Sequence, residues 1–283
     1  MAELIDGKQL AKKLNAETKV AVDELKASGI TPKLVVIIVG GDGASEIYVR
    51  NKHRKAEQLG IISEVTRLSA TISQAELLEV IETYNQDDSV HGILVQSPLP
   101  SHIDEPTITR AITPTKDVDG FNPVNVGKLY THSALNFPVS CTPKGIMTML
   151  KAYHVPTAGK NAVIVGRSNI VGRPMAALLL NASATVTVVH SQTKDMKAYT
   201  READILVVAT GIPHLITGAD IKPGATVIDV GMDRDEEGHL TGDVEFESAN
   251  QVAGKLTPVP GGVGPMTIAT LMQQTVELAK WSE

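Results

Sequence analysis

Three groups of residues in this sequence have the types and spacing to do chemistry. The first is Val163-Ile-Val-Gly-Arg-Ser-Asn-Ile-Val-Gly-Arg-Pro174. An apolar run, Asn161–Val165, breaks at Gly166, and a helix-forming stretch over 175–180 follows Gly172. Strand, glycine turn and helix together present backbone N–H groups and a positive helix end to a phosphate. Ser168 stands where G-x-G-x-x-G has its middle glycine, so the motif needs its context. A second strand over 184–189 supplies it and completes a βαβ unit. Gly166, Arg167, Ser168, Ile170 and Gly172 are therefore expected at a dinucleotide. Thr210 and Gly211 join them, just past the strand over 204–209, because ligands approach an open α/β sheet at the carboxyl ends of its strands.

The second group is Tyr48, Lys52 and Gln96. Tyr48 and Lys52 are four residues apart on a helix predicted over 45–59 and share one face, which Lys55 continues. A lysine beside an aromatic ring in a cleft is desolvated, which lowers its pKa and frees its lone pair. The competing reading makes Arg50, Lys52, Arg54 and Lys55 a solvated basic face. Gln96 follows a buried strand, where a side-chain amide either fixes a neighbouring amine, bonds a substrate heteroatom, or simply ends the strand.

The third group is acidic and glycine-rich. Asp119, in Lys116-Asp-Val-Asp-Gly-Phe121, is a candidate acceptor, although Asp before Gly is also ordinary turn chemistry. Pro260, Gly261 and Gly262 open a second glycine cluster that lets backbone approach a planar ligand, binds phosphate, or makes a tight turn. Cys141 has no evident base beside it and reads as structural.

The strand after the glycine turn bears on which dinucleotide binds. An NAD site usually carries Asp or Glu there to hold the ribose 2′-OH. Here the strand ends in His190-Ser191, with Arg167 in the turn, and these groups suit a 2′-phosphate better. NADP is the expected cofactor, against the alternative that His190 and Ser191 only end a strand.

The elements that must position these residues alternate helix and strand. The chain has 283 residues, enough for two domains. Aromatics are only 3%, so the core must be Val, Ile, Leu and Ala, which suits buried parallel strands. Helices are predicted over 6–28, 45–59 and 73–84, with strands over 33–39, 61–68 and 92–95. Prolines 98, 100, 106, 114 and 123 mark a loop-rich, cleft-forming region, and 131–138 an inter-domain crossing. Further strands are expected over 161–165, 184–189, 204–209, 225–230 and 256–259, and a closing helix over 266–280. A net charge of −6 argues against nucleic acid as a partner. No apolar run approaches membrane-spanning length, and the start of the chain does not read as a signal peptide. One cysteine excludes an internal disulfide and fits a reducing cytoplasm. The eight histidines show no pair at metal-ligand spacing, so no structural metal is expected.

In this order the motifs resemble those of the bifunctional methylenetetrahydrofolate dehydrogenase/methenyltetrahydrofolate cyclohydrolase family, over nearly the whole chain. They are Ser45-x-x-Tyr48-Val49-x-x-Lys52 with Gly60, Val95-Gln96-x-Pro98-Leu99-Pro100, and Lys116 to Phe121 with Asn125-Val-Gly127. Cys141-Thr-Pro-Lys-Gly145, Gly166-Arg-Ser-x-Ile-Val-Gly172 with His190-Ser191, and Thr257 to Thr267 complete the set. Ser97 replaces the usual leucine, Ser140 the usual proline, and Arg54-Lys55 stand where Lys-Ala is common. The resemblance implies an α/β fold of two domains. One is an N-terminal three-layer α/β domain, residues 1–138, completed by the C-terminal helix, 264–283. The other is a Rossmann-type NADP-binding domain, residues 139–263. It implies that Tyr48, Lys52, Gln96 and Asp119, with Pro260, Gly261 and Gly262, bind or process a folate, and that the protein is a homodimer. The implied reactions are NADP-dependent oxidation of 5,10-methylenetetrahydrofolate and hydrolysis of the methenyl product to 10-formyltetrahydrofolate. The alternatives are a shikimate-dehydrogenase-like enzyme of similar build and a non-catalytic dinucleotide-binding module.

Overall fold

The computed structural model describes residues 1–41, 43–234 and 238–282, and no side chains at 43–45, so the side chain of Ser45 in the first motif lies outside it. The chain divides into two compact units, one of Lys13–Cys141 with Thr270–Glu283, the other of Met1–Lys12 with Thr142–Ala269.

The first unit is built on a parallel three-stranded sheet in the order β3 (Ile62–Leu68), β2 (Lys33–Val39), β4 (Gly92–Val95). Alternation along β2 explains its two covered faces, since successive side chains of a strand point to opposite sides. Leu34, Val36 and Ile38 pack with Val22 and Leu25 of α1 (Gly7–Ala27), Val49, Ala56 and Leu59 of α2 (Gly43–Leu59), and the closing helix. Val35, Ile37 and Val39 pack with Leu77 and Ile81 of α3 (Gln74–Gln86) and with Ile108 of α4 (Glu105–Ala111). The result is three layers. Gly60, at φ +82°, ends α2, and Ile61 N–H closes the turn onto Ala56 O at 3.0 Å. Ser73 caps α3 reciprocally with Glu76.

The proline-rich stretch, expected as a loop, carries α4 and α5 (Pro123–Tyr130). Asp104 and Asn122 are their N-caps, and Pro106 and Pro123 occupy the first turn, where a missing N–H costs nothing. These prolines start helices and do not break them.

The second unit holds a parallel six-stranded sheet in the order β1 (Glu3–Leu4), β11 (Lys255–Leu256), β8 (Thr226–Asp229), β7 (Ile205–Val208), β5 (Asn161–Val165), β6 (Thr185–Val189). Its helices include α6 (Cys141–Ala152), unanticipated from the sequence, α7 (Gly172–Asn181), α8 (Met196–Thr200) and α9 (Phe246–Val252), and a short hairpin pairs β9 (Asp233–Arg234) with β10 (Leu240–Thr241). The strand expected over 256–259 stops at Leu256, because Pro258 and Pro260 have no N–H for a ladder. Pairing of β1 with β11 places the first residues with this unit rather than with the other. The closing helix, α10 (Val263–Trp281), begins three residues earlier than expected and contributes to both units.

Leu271 of α10 is 2% exposed in the core of the first unit, which gives a direct test of that helix's part in it. Leu271→Ala should cost about 2–5 kcal/mol by lost transfer energy and cavity formation. Urea unfolding followed by circular dichroism reads this as a lower midpoint, and an unchanged midpoint would show the helix end to be dispensable.

Candidate functional site

In the first unit the site grows from α2 and the carboxyl end of β4. Val49, Ala56 and Leu59 anchor α2 on the sheet and bring the Tyr48 and Lys52 face in alongside it. Lys52 is 6% exposed, whereas Arg50 and Arg54 are solvated. The basic-face reading therefore does not describe Lys52. Lys55, expected on the same face, bonds Gln58 instead and takes no part.

Gln96 N–H is held by Ile37 O of β2 at 2.8 Å, which fixes the residue at the strand end. Its Nε2 donates to Ser97 O at 2.7 Å, so its Oε1 faces Lys52 and accepts from Nζ at 3.0 Å. The same Nζ sits 4.5 Å from the Tyr48 ring centroid. Burial lowers the Lys52 pKa, while Asp119 and Cys141 oppose it by favouring the cation. Burial raises the Tyr48 pKa, reinforced by Asp119 and Cys141. The amine is thus held within reach of its neutral, basic form.

Asp119 belongs to a segment that runs beside β4, with Ile93 N–H donating to Lys116 O at 2.7 Å. Its carboxyl is pushed up to about 6, first by burial and then by Asp117, with Lys52 pulling the other way. Among the described residues no protein group donates to this carboxylate, which lines a small cavity of about 30 Å³ with Leu94, Ser97, Leu99, Glu105 and Phe121. Ser97 donates to Glu105 in that wall.

Sequence reading overlooked the groups that hold Asp119. Asp117 is 2% exposed and accepts from Asn122 N–H at 2.8 Å, Phe121 N–H at 3.2 Å and Asn125 Nδ2 at 2.9 Å. Gln274 of α10 donates through Nε2 to Val118 O at 2.6 Å and Val139 O at 2.8 Å. Gly120, at φ +69°, packs against Val139, where a Cβ would lie 2.7 Å from its Cα. The only sequence signal for Asp117 was its place in the same acidic turn motif as Asp119. Gln274 is one of the pair Gln273-Gln274 in α10, and it is the one that the fold buries, at 0% exposure. Cys141 is buried and donates to Val118 O at 3.5 Å.

In the second unit the glycine turn has the form expected for a dinucleotide's phosphates. Gly166 is at φ +119°, and a Cβ there would collide with Ala209 O, as one on Gly172 would with Gly166 O. The cradle is open only because both are glycine. Ser168 Oγ accepts from Val171 N–H at 3.2 Å and Gly172 N–H at 3.4 Å, and Ser168 O accepts from Arg173 N–H at 3.0 Å, so the turn is tied to the start of α7, whose positive end it faces. Arg167, Ser168 and Ile170 are exposed at the turn. His190 and Ser191 follow β6, with His190 N–H bound to Thr193 Oγ1 at 2.9 Å. The amides of Thr210 and Gly211 are bonded inward, to Asp243. Gly261 is at φ +113° and its carbonyl accepts from Lys8 N–H at 3.0 Å.

Comparison with known proteins gives a consistent picture. The family model described as tetrahydrofolate dehydrogenase/cyclohydrolase, catalytic domain, matches residues 5–119, and that described as the NAD(P)-binding domain of the same enzymes matches 140–283. The bifunctional protein FolD of Lactiplantibacillus plantarum is 69% identical over 283 residues, covering 100% of this chain and 99% of that protein. The crystal structure of the bifunctional FolD methylenetetrahydrofolate dehydrogenase/cyclohydrolase of Campylobacter jejuni superposes with a TM-score of 0.97 at 50% identity, over 99% of each chain. The Trypanosoma brucei dehydrogenase-cyclohydrolase, solved with NADP and an inhibitor, gives 0.94 at 40% identity over 99% of this chain and 98% of that one.

The electrostatics of the first unit can be tested alone. Asp119 should titrate near pH 6 in a carboxyl-carbon NMR experiment. Lys52→Met removes the cation that favours its ionised form, so the midpoint should move higher still. A midpoint near 4, the ordinary carboxylate value, or a fall in the variant would contradict the arrangement.

Proposed function

This chain belongs to the tetrahydrofolate dehydrogenase/cyclohydrolase family, and from that premise we propose how its residues divide the two reactions. The enzyme oxidises 5,10-methylenetetrahydrofolate with NADP⁺ and hydrolyses the methenyl product to 10-formyltetrahydrofolate. Family membership removes the shikimate-dehydrogenase-like and non-catalytic alternatives.

Gly166, Arg167, Ser168, Ile170, Gly172, His190, Ser191, Thr210 and Gly211 hold the dinucleotide, which supplies the hydride acceptor when bound. Support comes from the cradle that only glycine leaves open and from the absence of a carboxylate at the end of β6. Arg167 and Ser191 take the 2′-phosphate. Asp119 takes the ring N–H and amino donors of the pterin, a role favoured by a carboxylate with no protein donor. Pro260, Gly261 and Gly262 are assigned to the folate on the motif and on a glycine backbone that admits a close ligand.

Hydride departure from the methylene carbon strips no proton, so the residues act there by positioning. Hydrolysis differs. Water adds to the methenyl carbon and gives up a proton, then a C–N bond breaks as its nitrogen takes that proton back and the added hydroxyl releases its own to solvent, leaving the formyl carbonyl. Lys52 is the group that accepts and returns the proton, Gln96 aims its amine, and the Tyr48 ring packs beside it. The observation that carries this is the buried Lys52 Nζ, 3.0 Å from Gln96 Oε1 and 4.5 Å from the Tyr48 centroid. Tyr48, Lys52, Gln96 and Asp119 belong to the unit of Lys13–Cys141 and Thr270–Glu283, whereas Pro260, Gly261 and Gly262 belong, with the dinucleotide residues, to the other. Among the described residues no helix is long and apolar enough to cross a membrane. A homodimer, on the family resemblance, and a cytoplasmic setting, on the single free cysteine, complete the reading.

Lys52→Met keeps the bulk of the stem without the amine. It should nearly abolish methenyl hydrolysis, while methenyl formation falls much less; separate spectrophotometric assays check this, and hydrolysis near the wild-type rate would remove Lys52 from the step. Arg167→Ala should lower kcat/KM for NADP⁺ by about tenfold or more, the loss of one charge-assisted contact, and leave NAD⁺ nearly unchanged. Equal losses with the two dinucleotides would withdraw Arg167 from the 2′-phosphate.

A further inference from the structure

We infer that Asp243 is a positioning residue for the dinucleotide, held in place by Asp229, and that it turns the loop after β7 into a ledge with no amides for phosphate. The inference rests on the glycine turn as the dinucleotide site. Ala209, which leads into residues 210–212, lies against that turn, since its carbonyl oxygen occupies the space a Cβ on Gly166 would need.

Asp243 is fully buried and binds the whole loop. Its Oδ2 accepts from Thr210 N–H at 2.6 Å, Thr210 Oγ1 at 3.0 Å and Gly211 N–H at 3.3 Å, and its Oδ1 from Ile212 N–H at 3.1 Å. Three successive amide hydrogens point inward to one carboxylate, so none remains for a phosphate oxygen. Phosphate binding then falls to the glycine turn and the positive end of α7 behind it. What the ledge offers outward is Ile212, 53% exposed, an apolar surface fit for a planar ring.

Asp243 is itself braced by a second carboxylate. Asp229, at the end of β8, accepts from Gly231 N–H at 2.9 Å and Asp243 N–H at 3.0 Å through Oδ1, and from Val244 N–H at 3.0 Å through Oδ2. Two glycines make room: a Cβ on Gly242 would collide with Asp229 Oδ2, and one on Gly231 would lie 2.5 Å from Asp243 Oδ1. Asp233 stands near Asp243 as a like charge, and burial followed by that repulsion raises its pKa. A carboxylate under an anionic ligand would ordinarily repel it. Here the four donors of residues 210–212 offset the charge.

The experiment compares Asp243→Asn and Asp229→Asn with the wild type, as full chains. NADPH affinity is read by fluorescence titration, KM is measured for NADP⁺ and for methylenetetrahydrofolate, and hydrolysis of methenyltetrahydrofolate is assayed without dinucleotide. An amide at 243 keeps one acceptor and turns two donors toward donors, so NADPH affinity should fall by about tenfold or more. KM for NADP⁺ should rise with it, while KM for the folate and the hydrolysis rate stay within about twofold of wild type, since no folate contact is altered. Asp229→Asn should act in the same direction and carries the test if the first variant does not fold. Unchanged NADPH affinity would overturn the inference, as would hydrolysis and oxidation falling together with the melting temperature, which would make the pair merely structural. Wild type that fails to bind NADPH would instead sink the dinucleotide assignment.

Discussion

The hydrolytic chemistry depends on one amine kept out of water. Lys52 Nζ has a side-chain amide on one side and an aromatic ring on the other, and both are fixed by backbone that the sheet controls. Gln96 cannot swing away, because its N–H is bound to Ile37 O and its own Nε2 to Ser97 O. An exposed lysine would stay protonated at neutral pH and could take no proton from water. Burial is what makes the residue useful, and the helix face carrying Val49, Ala56 and Leu59 is what imposes the burial.

The two units solve their positioning problems with similar means. In each, a buried aspartate gathers backbone N–H groups of a loop that carries a functional segment: Asp117 gathers 121 and 122 beside Asp119, and Asp243 gathers 210 to 212 beside the glycine turn. A carboxylate with several backbone donors keeps its charge satisfied and its loop in one conformation. In both places glycine is the enabling residue, since the clamp needs backbone closer than a side chain allows.

Much of this was legible in the sequence, and the parts that were not share a cause. The apolar runs of β2, β4 and β5 and the glycine turn announce themselves, because buried parallel strands are continuous apolar segments. The Tyr48, Lys52 spacing marked one helix face, and the structure brings Gln96 to it. By contrast, α4 and α5 were hidden behind prolines that read as breakers, since a proline in the first turn and a proline in a loop look alike until the cap before it is weighed. Asp117, Gln274, Asp229 and Asp243 were missed because their partners are distant in sequence or are backbone groups, which carry no residue signature.

The same burial that prepares the site works against the fold that holds it. Asp119 has a folded pKa of about 6 against an ordinary value of 3.8, so its favourable contribution is complete below that lower value and is lost as pH rises through 6. Lys52 is shifted the other way, its pKa lowered, so its contribution is complete only above the ordinary lysine range and is lost as pH falls through its folded pKa. At neutral pH both groups therefore weigh against the folded state, and their mutual attraction only partly offsets this. The unit tolerates it because β2 is covered on both faces by apolar side chains, and because Asp117 and Gln274 fix the Asp119 segment by backbone contacts that do not involve the reacting groups. Stability is thus held in the sheet and the clamps, which leaves Lys52 and Asp119 in environments that favour their uncharged forms until a substrate arrives.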